Sequence, residues 1–264
     1  MAAPLTRKWN LALYKEIQFA LGFQLRKKLD RMTEIPDGQK IPSLKDMQIG
    51  SAKRMTAAIL FFDLENFTSI SAQLSNEYTL YLLNVITSAM MIIVRKWNGV
   101  VEKHTGDGIM AIIGAEAADM SETARDGIEC ALSMKYVMLN DIQPQLIERK
   151  FPRINFRIGV DVGELLISRI GIHSMNFLTA VGDAANRASK LQEFSVTNGI
   201  TIGEDVATSL PRALHDYMQY GDDPRWQVKR PGLDVRYNYF HYNFNWPEPS
   251  SWPKEWIKYW RLQR

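Results

Sequence analysis

The hydrophobic pattern changes period twice between residues 56 and 113. AILFFDL (58–64) is a nearly unbroken apolar run interrupted at Asp63, which predicts a strand over about 56–63, a few turn-like residues and a helix start near Asn66-Phe67-Thr68. Residues 76–97 return to helical spacing, and Ala89-Met90-Met91-Ile92-Ile93-Val94 marks the core side of that helix, with methionine as filler. VVEKH and IMAII then flank Thr105-Gly106-Asp107-Gly108, which reads as a β-hairpin with an acid at its tip. Strand, helix and hairpin in that order let the end of the first strand lie beside the start of the third in one antiparallel sheet. Asp63 and Asp107 then point into the same small volume. Two carboxylates there repel each other unless a cation sits between them, and hard oxygen ligands suit Mg²⁺ or Mn²⁺ held together with a phosphate. Asn66 or Thr68 can cap the helix that follows, leaving backbone N–H groups that face Asp63 and suit an anion.

The remaining pattern fills in a single α+β domain. A second outer helix is expected over 120–140, followed by a short Pro-containing loop. INFRIGVDVGELLISRIG (154–171) reads as a pair of β-runs around Gly163, and TAVGDAANRASKLQEF (179–194) opens on Gly182-Asp183 and continues as a helix. This alternation predicts a ferredoxin-like, palm-type α+β fold, an antiparallel-rich sheet with helices on one face. Ahead of it, residues 1–50 form an N-terminal amphipathic helix and connector: Trp9, Leu13, Ile17, Leu21, Leu25 and Leu29 recur every four residues until Pro36-Asp37-Gly38. That stripe fits packing on the domain or on a second copy, and its basic residues leave a signalling stalk or membrane-surface helix open. The catalytic part is expected over 51–240 and a Trp/Pro-rich C-terminal tail over 241–264.

Composition narrows the class. The chain has 264 residues, 46% hydrophobic and 23% charged, in the range of an ordinary soluble globular protein. A net charge of +3 gives no footprint for nucleic acid. A single cysteine, Cys130, excludes an intrachain disulfide and a cysteine-built zinc site. No apolar run is expected to reach the roughly 18 residues that span a bilayer, and the N-terminus lacks the apolar core of a secretory signal. The expectation is a cytoplasmic protein without stable membrane insertion.

Four segments in order, FFDLENFT, KHTGDGIMAII, FRIGVDVGE and VGDAANRASKL, resemble the catalytic domain of class III nucleotide cyclases over about residues 55–240. The resemblance implies a homodimer with two sites at the subunit interface, each built from both chains, acting on a nucleoside triphosphate. It implies two divalent ions per site, Mn²⁺ or Mg²⁺, held by Asp63, Asp107 and the backbone carbonyl of Leu64. One ion assists deprotonation of the ribose 3′-OH and the other holds the triphosphate, so that the hydroxyl attacks the α-phosphorus in line and expels pyrophosphate.

Further roles are carried over position by position. Phe67 and Thr68 mark the helix start facing the phosphates. Asn186 matches the asparagine that orients the ribose. One turn on, where the family has a transition-state arginine, this chain has Lys190, which keeps the charge and loses the two-pronged geometry. Arg187 does not stand in for it, because it points some 100° around the helix from Asn186. Arg157 and Lys229 match phosphate-contacting positions, no chemistry is assigned to Asp161, and His104 is expected to be exposed. Lys103 and Thr179 hold the two base-selecting positions. Lysine can only donate hydrogen bonds, which disfavours guanine and leaves ATP, UTP and CTP open.

The Trp/Pro-rich tail and the short helix in front resemble free-standing bacterial pyrimidine cyclases. In those systems infection triggers cyclic UMP or cyclic CMP, and the product is read by a separate cell-killing effector in anti-phage defence. That resemblance favours UTP, then CTP. The alternatives are an adenylate cyclase making cyclic AMP and a catalytically degenerate nucleotide-binding regulator; Asp63, Asp107 and Asn186 argue against the latter, Lys190 for it. A diguanylate cyclase is disfavoured by the absence of a GG[DE]EF-like turn. The tail's aromatic rings are expected to dock on the protein's own surface or its dimer mate.

Overall fold

A computed structural model describes residues 47–104, 106–114 and 119–245, apart from the side chains of Lys103 and His104. The expected N-terminal stripe and most of the Trp-rich tail lie outside the described residues. Contacts divide the chain into two units, one comprising Leu166–Val181 with the segment up to Met55, the other Thr56–Leu165 with the chain from Gly182 onward. Strands β1 (Ala52–Leu64) and β4 (Phe156–Ile172) run through both.

In the first unit, the outer part of β4 pairs antiparallel with β5 (Met175–Val181), from Leu166↔Val181 to Ile172↔Met175. Residues 47–51 tie onto this hairpin: Gly50 N–H donates to the Arg169 carbonyl at 2.8 Å, and Ser168 Oγ to the Ser51 carbonyl at 2.9 Å. Apolar side chains at Ile172, Met175 and Phe177 are exposed.

The second unit carries the rest of the sheet, in the order β2-β3-β1-β4-β6-β8-β7. Its elements are α1 (Phe67–Ser71), α2 (Asn76–Lys96), β2 (Val100–His104), β3 (Ile109–Ile113), α3 (Met120–Val137), a π-turn Met138–Ile142, α4 (Gln143–Glu148), α5 (Asp183–Glu193), β6 (Gly199–Gly203), α6 (Glu204–Ser209), β7 (Met218–Tyr220) and β8 (Tyr239–Tyr242). β1 and β3 pair antiparallel, as do β2 and β3, whereas β4 and β6 run parallel across α5. Helix starts follow their capping chemistry. Ser75 accepts from Tyr78 N–H and Asp119 from Glu122 N–H, while Arg95 and Lys96 sit in the last turn of α2, where the helix dipole favours cations.

Three expectations change. β4 is one continuous strand through Gly163, because that glycine has no turn conformation; it makes room for α5, and a Cβ there would sit 3.3 Å from Ala184 Cβ. Pro144 lies in the first turn of α4 and not in a loop; α4 continues without a break from the π-turn Met138–Ile142, where the widened turn accommodates the N–H that proline lacks. Helix α2 is long and apolar enough by length and composition to cross a bilayer, contrary to the expectation that no stretch is. Its Leu82, Ile86, Met90 and Val94 are spent on the core.

Strand alternation separates the two faces of the sheet. Ala58, Leu60 and Phe62 of β1, Ile109 and Ala111 of β3, and Ile158, Val160 and Val162 of β4 join α2 and α3 in one apolar core. Gly127 lets α3 close on Ala58 and Val160. The one-face arrangement of helices holds for α2 and α3. Helix α5 lies against the other face, where a Cβ on Gly159 would meet Ala188 O and Gln192 N at 2.3 Å. Ahead of the tail, Trp226 is buried with Leu191, Tyr237 and Tyr239, and its indole N–H donates to the Tyr237 carbonyl at 2.6 Å; the tail's own tryptophans lie outside the described residues. The sheet itself continues to Tyr242 through β8.

Candidate active site

The polar chemistry collects on the face away from the main core. Odd-numbered positions of β1 and β4 point there, and they include Asp63, Arg157 and Asp161, while their even neighbours are core. The register Phe62↔Ile109 puts the end of β1 beside the start of β3, with Asp107 two residues ahead of Ile109. The expected juxtaposition of Asp63 and Asp107 is present: burial pushes the Asp63 carboxyl up to about 6, and the charge of Asp107 pushes it further in the same direction. The Leu64 N–H and Arg157 pull it back only in part. Among the described residues neither carboxylate has an ion-pair partner.

That donor set fits a divalent cation. Two facing carboxylates with uncompensated charge are hard oxygen ligands, and Leu64, whose side chain is buried, has its carbonyl at the same strand end. No third Asp, Glu, His or Cys joins them among the described residues, so further ligands must come from water or a bound phosphate.

The remaining site residues are distributed as follows. Phe67 is core by its side chain and Thr68 is exposed; Asn66 occupies the cap position of α1 in a left-handed conformation (φ 58°), with no side-chain cap bond. The expected side-chain cap by Asn66 is therefore absent, because the left-handed turn itself redirects the backbone. Arg157 pairs with Glu65 and donates to the Glu193 carbonyl at 3.4 Å, while its Nε is buried without a partner. Glu65 is held in turn by Thr197 Oγ1 at 2.7 Å. The ammonium of Lys229 is taken by Asp234 in an exposed turn, and no contact connects it to Asp63 or Asp107. Lys103 lies on β2 opposite Met110, and Thr179 is nearly buried on β5 opposite Ser168; the two belong to different units.

Asn186 and Lys190 share the exposed face of α5, one turn apart. They make no contact with Asp63 or Asp107 of the same chain. Gln192, on the inner side of that helix, does: its Nε2 donates to Asp63 Oδ2 at 3.4 Å.

Sequence reasoning misses two groups. Gln192 is one. The other is a buried cluster around Asp161, which is fully inaccessible. Arg187 Nε donates to Asp161 Oδ2, Arg187 Nη2 to Asp205 Oδ2 at 3.0 Å, and Tyr237 Oη to Asp161 Oδ1 at 2.7 Å. The guanidinium lies 4.2 Å from the Tyr237 ring centroid, in cation–π contact. Burial pushes Asp161 up to about 6 against the pull of Arg187, Tyr237 and the Val162 N–H. The only signal in the sequence is an aspartate inside a central apolar strand and an arginine on an otherwise alanine-lined helix face, each out of place alone.

The chain belongs to the adenylate and guanylate cyclase catalytic domain family, whose description matches residues 50–240. It is 30% identical over 169 residues to a cytidylate cyclase of Escherichia coli, covering 61% of this chain and 36% of that protein. It is 27% identical over 164 residues to a uridylate cyclase of Rhodovulum sp. (strain MB263), covering 59% of this chain and 66% of that one. The chain thus spans less than two thirds of the length of these relatives. In fold it matches the adenylyl cyclase CyaB from P. aeruginosa at a TM-score of 0.64 and 20% identity, over 75% of this chain and 98% of that one. The ferredoxin-like α+β fold expected from the alternation of elements, and the class III cyclase architecture that the resemblance implies, are the architecture found.

Proposed function

We propose that the chain is a nucleotide cyclase, a phosphorus–oxygen lyase, that converts a pyrimidine nucleoside triphosphate, UTP before CTP, into the 3′,5′-cyclic nucleotide and diphosphate. The observation that carries this reading is the uncompensated pair Asp63 and Asp107 at the strand–hairpin junction. Divalent ions held there with the Leu64 carbonyl would supply Lewis acidity toward the ribose 3′-oxygen and the triphosphate. The 3′-oxygen loses its proton and forms a bond to the α-phosphorus; the bond from that phosphorus to the β-phosphate bridging oxygen breaks, and diphosphate leaves with its charge.

The chain's own residues bind and orient. Backbone N–H groups at Phe67 and Thr68 face the phosphates, and Arg157, which pulls on the Asp63 carboxyl, adds positive charge beside them. Asn186 orients the ribose, and Lys190 places positive charge against the reacting phosphorus. Because these two stand on the exposed face of α5, away from Asp63 and Asp107, they serve the site of a second copy, which makes the working unit a homodimer. Lys103 and Thr179 contact the base, and Lys229 is the outermost phosphate candidate. In this reading the cyclic product is read by a separate cyclic-nucleotide-binding effector in anti-phage defence; the similarity to cytidylate and uridylate cyclases supports the pyrimidine substrate alone.

Purified chain with Mn²⁺ and each of the four nucleoside triphosphates in turn, with products identified by mass, tests the reading. A cyclic pyrimidine nucleotide supports it. Cyclic AMP alone replaces it with the adenylate cyclase reading, which Lys103 with Thr179 also fits. No product from any triphosphate, with nucleotide still bound, supports a degenerate regulator, for which Lys190 in place of arginine is the feature in favour.

A further inference from the structure

The inner face of α5 is smooth. Ala184, Ala185 and Ala188 line it with Leu191, and Gly159 lets the helix backbone rest directly on β4. Small side chains on a flat strand surface fix the separation of helix and sheet and leave rotation about the helix axis weakly determined. Rotation is what matters for Asn186 and Lys190, since a turn of about 100° moves one residue's direction onto the next.

Two directional contacts interrupt that smooth face: the long 3.4 Å bond from Gln192 to Asp63 near the end of the helix, and the buried one made by Arg187 in its middle. Arg187 reaches Asp161, whose second oxygen accepts from Tyr237 Oη at 2.7 Å and from Val162 N–H at 2.9 Å. Tyr237 Oη also accepts from the Asp205 N–H at 2.9 Å, tying α6 to the same point. The space is built for this arrangement: a Cβ on Gly203 would come within 2.5 Å of Asp161 Oδ1 and 2.6 Å of Tyr237 Oη. A rotation of α5 by about 100° either way presents Asn186 or Ala188 to Asp161 and leaves a fully buried carboxylate without its cation, which is strongly unfavourable.

We propose that Asp161, Arg187 and Tyr237 form a positioning device that sets the rotation of α5 and so aims Asn186 and Lys190 at the reacting triphosphate. None of the three touches substrate. The inference rests on the cyclase reading for its kinetic consequence and on the geometry of α5 for its structural one, and the two are tested separately.

The kinetic test uses the full chain with Mn²⁺ and whichever triphosphate gives product. Asp161→Leu/Arg187→Met replaces the ion pair by apolar side chains, a change that commonly restores or raises stability. A positioning role predicts a Tm at or above that of the native chain, KM within about twofold, and kcat down by about tenfold or more, since the lost aim is felt in the transition state. Native kcat in this variant overturns the proposal, because packing alone then suffices. Should the double variant not fold, Tyr237→Phe removes one hydroxyl from the cluster and is expected to lower kcat by about three- to tenfold with KM little changed; an unchanged kcat overturns the proposal.

If the native chain forms no cyclic nucleotide, the reaction reading fails and the device is read by thiol labelling. Cys130 is the chain's single cysteine and is buried, so a thiol introduced by Asn186→Cys is the reactive one. Its modification rate is expected to change by about threefold or more when Asp161→Leu/Arg187→Met or, in its place, Tyr237→Phe is added, as the helix turns. Equal rates in the native and altered backgrounds overturn the proposal.

Discussion

Asp63 and Asp161 stand on neighbouring strands, on the same face of one sheet, and burial pushes both carboxyls up to about 6. Their surroundings differ in sign. Asp161 is met by a guanidinium, a phenol and a backbone N–H, so its charge is answered within the fold. Asp63 is met by a second acid and by one distant glutamine donor, and the Leu64 N–H and Arg157 offset its charge only in part. A fold that stabilises one buried carboxylate and strains another on the adjacent strand has separated a structural role from a binding role. Under the proposed function, the strained acid is where a cation and its phosphate go.

The contrast can be broken from either end. The largest effect is expected from Asp107→Ala, which should lower cyclic nucleotide formation by about 10³-fold or more, on the scale of removing a metal ligand or a transition-state charge contact. In metal-free protein the same change should not lower Tm, because it removes repulsion at Asp63. Loss of stability with full activity would invert the assignment.

Asp161→Ala should do the reverse to stability. It leaves Arg187 buried with Asp205 as its remaining carboxylate partner, and is expected to cost about 3 kcal/mol in urea unfolding. The comparable Asp63→Ala change in metal-free protein should cost under about 1 kcal/mol. Equal costs at the two positions would remove the distinction between them.

The pH dependence sharpens the comparison. The folded-state values of Asp63, about 6, and of Glu129 on α3, about 8, lie above their ordinary values of 3.8 and 4.5. Each group binds its proton more tightly in the folded chain. The stability this contributes is fully present below about pH 4 and is lost as pH rises, through about 6 for Asp63 and through about 8 for Glu129. Mn²⁺ should cancel the first loss and leave the second. Glu129→Gln should cancel the second, with a gain of about 1–2 kcal/mol above about pH 8. Asp126 and Asp161, also pushed up to about 6, lose stability over the same range whether or not Mn²⁺ is present, so a loss near pH 6 that Mn²⁺ does not reduce at all would place the cation elsewhere.

The smallest effect belongs to Lys190→Arg. It restores the two-pronged geometry on an exposed helix face, where the surroundings can accommodate it, and should change kcat by less than about tenfold with Tm unaltered. A larger gain would mean that Lys190 limits the native chain.

Much of the frame is legible in the amino-acid order. The run 58–64, the helix at 76–96 and the 100–113 hairpin stand where their periods place them, because each pattern answers to local geometry: unbroken apolar strands, helical spacing and a glycine turn, with Gly106 at φ +86°. The Asp63–Asp107 proximity follows from those elements and the direction of the connecting helix. Gly163 looks like a break because glycine in a strand commonly is one; its service here is to a helix far along the chain. Pro144 looks like a loop residue for the same kind of reason, since proline's place in a first helical turn depends on where the preceding segment ends.

By itself, then, the amino-acid order determined the strand–helix–hairpin frame, the two acids it brings together, the family and the exposed pairing of Asn186 with Lys190, all of which depend on spacing along the chain. Only the tertiary structure decided that α5 lies on the face opposite the main core, that Gln192 reaches Asp63, and that Arg187 spends its charge on Asp161 and Tyr237. Those contacts join residues 26 and 76 positions and more apart. No local period records them, because whether a buried charge is stabilised or strained depends on which distant group the fold brings to its side.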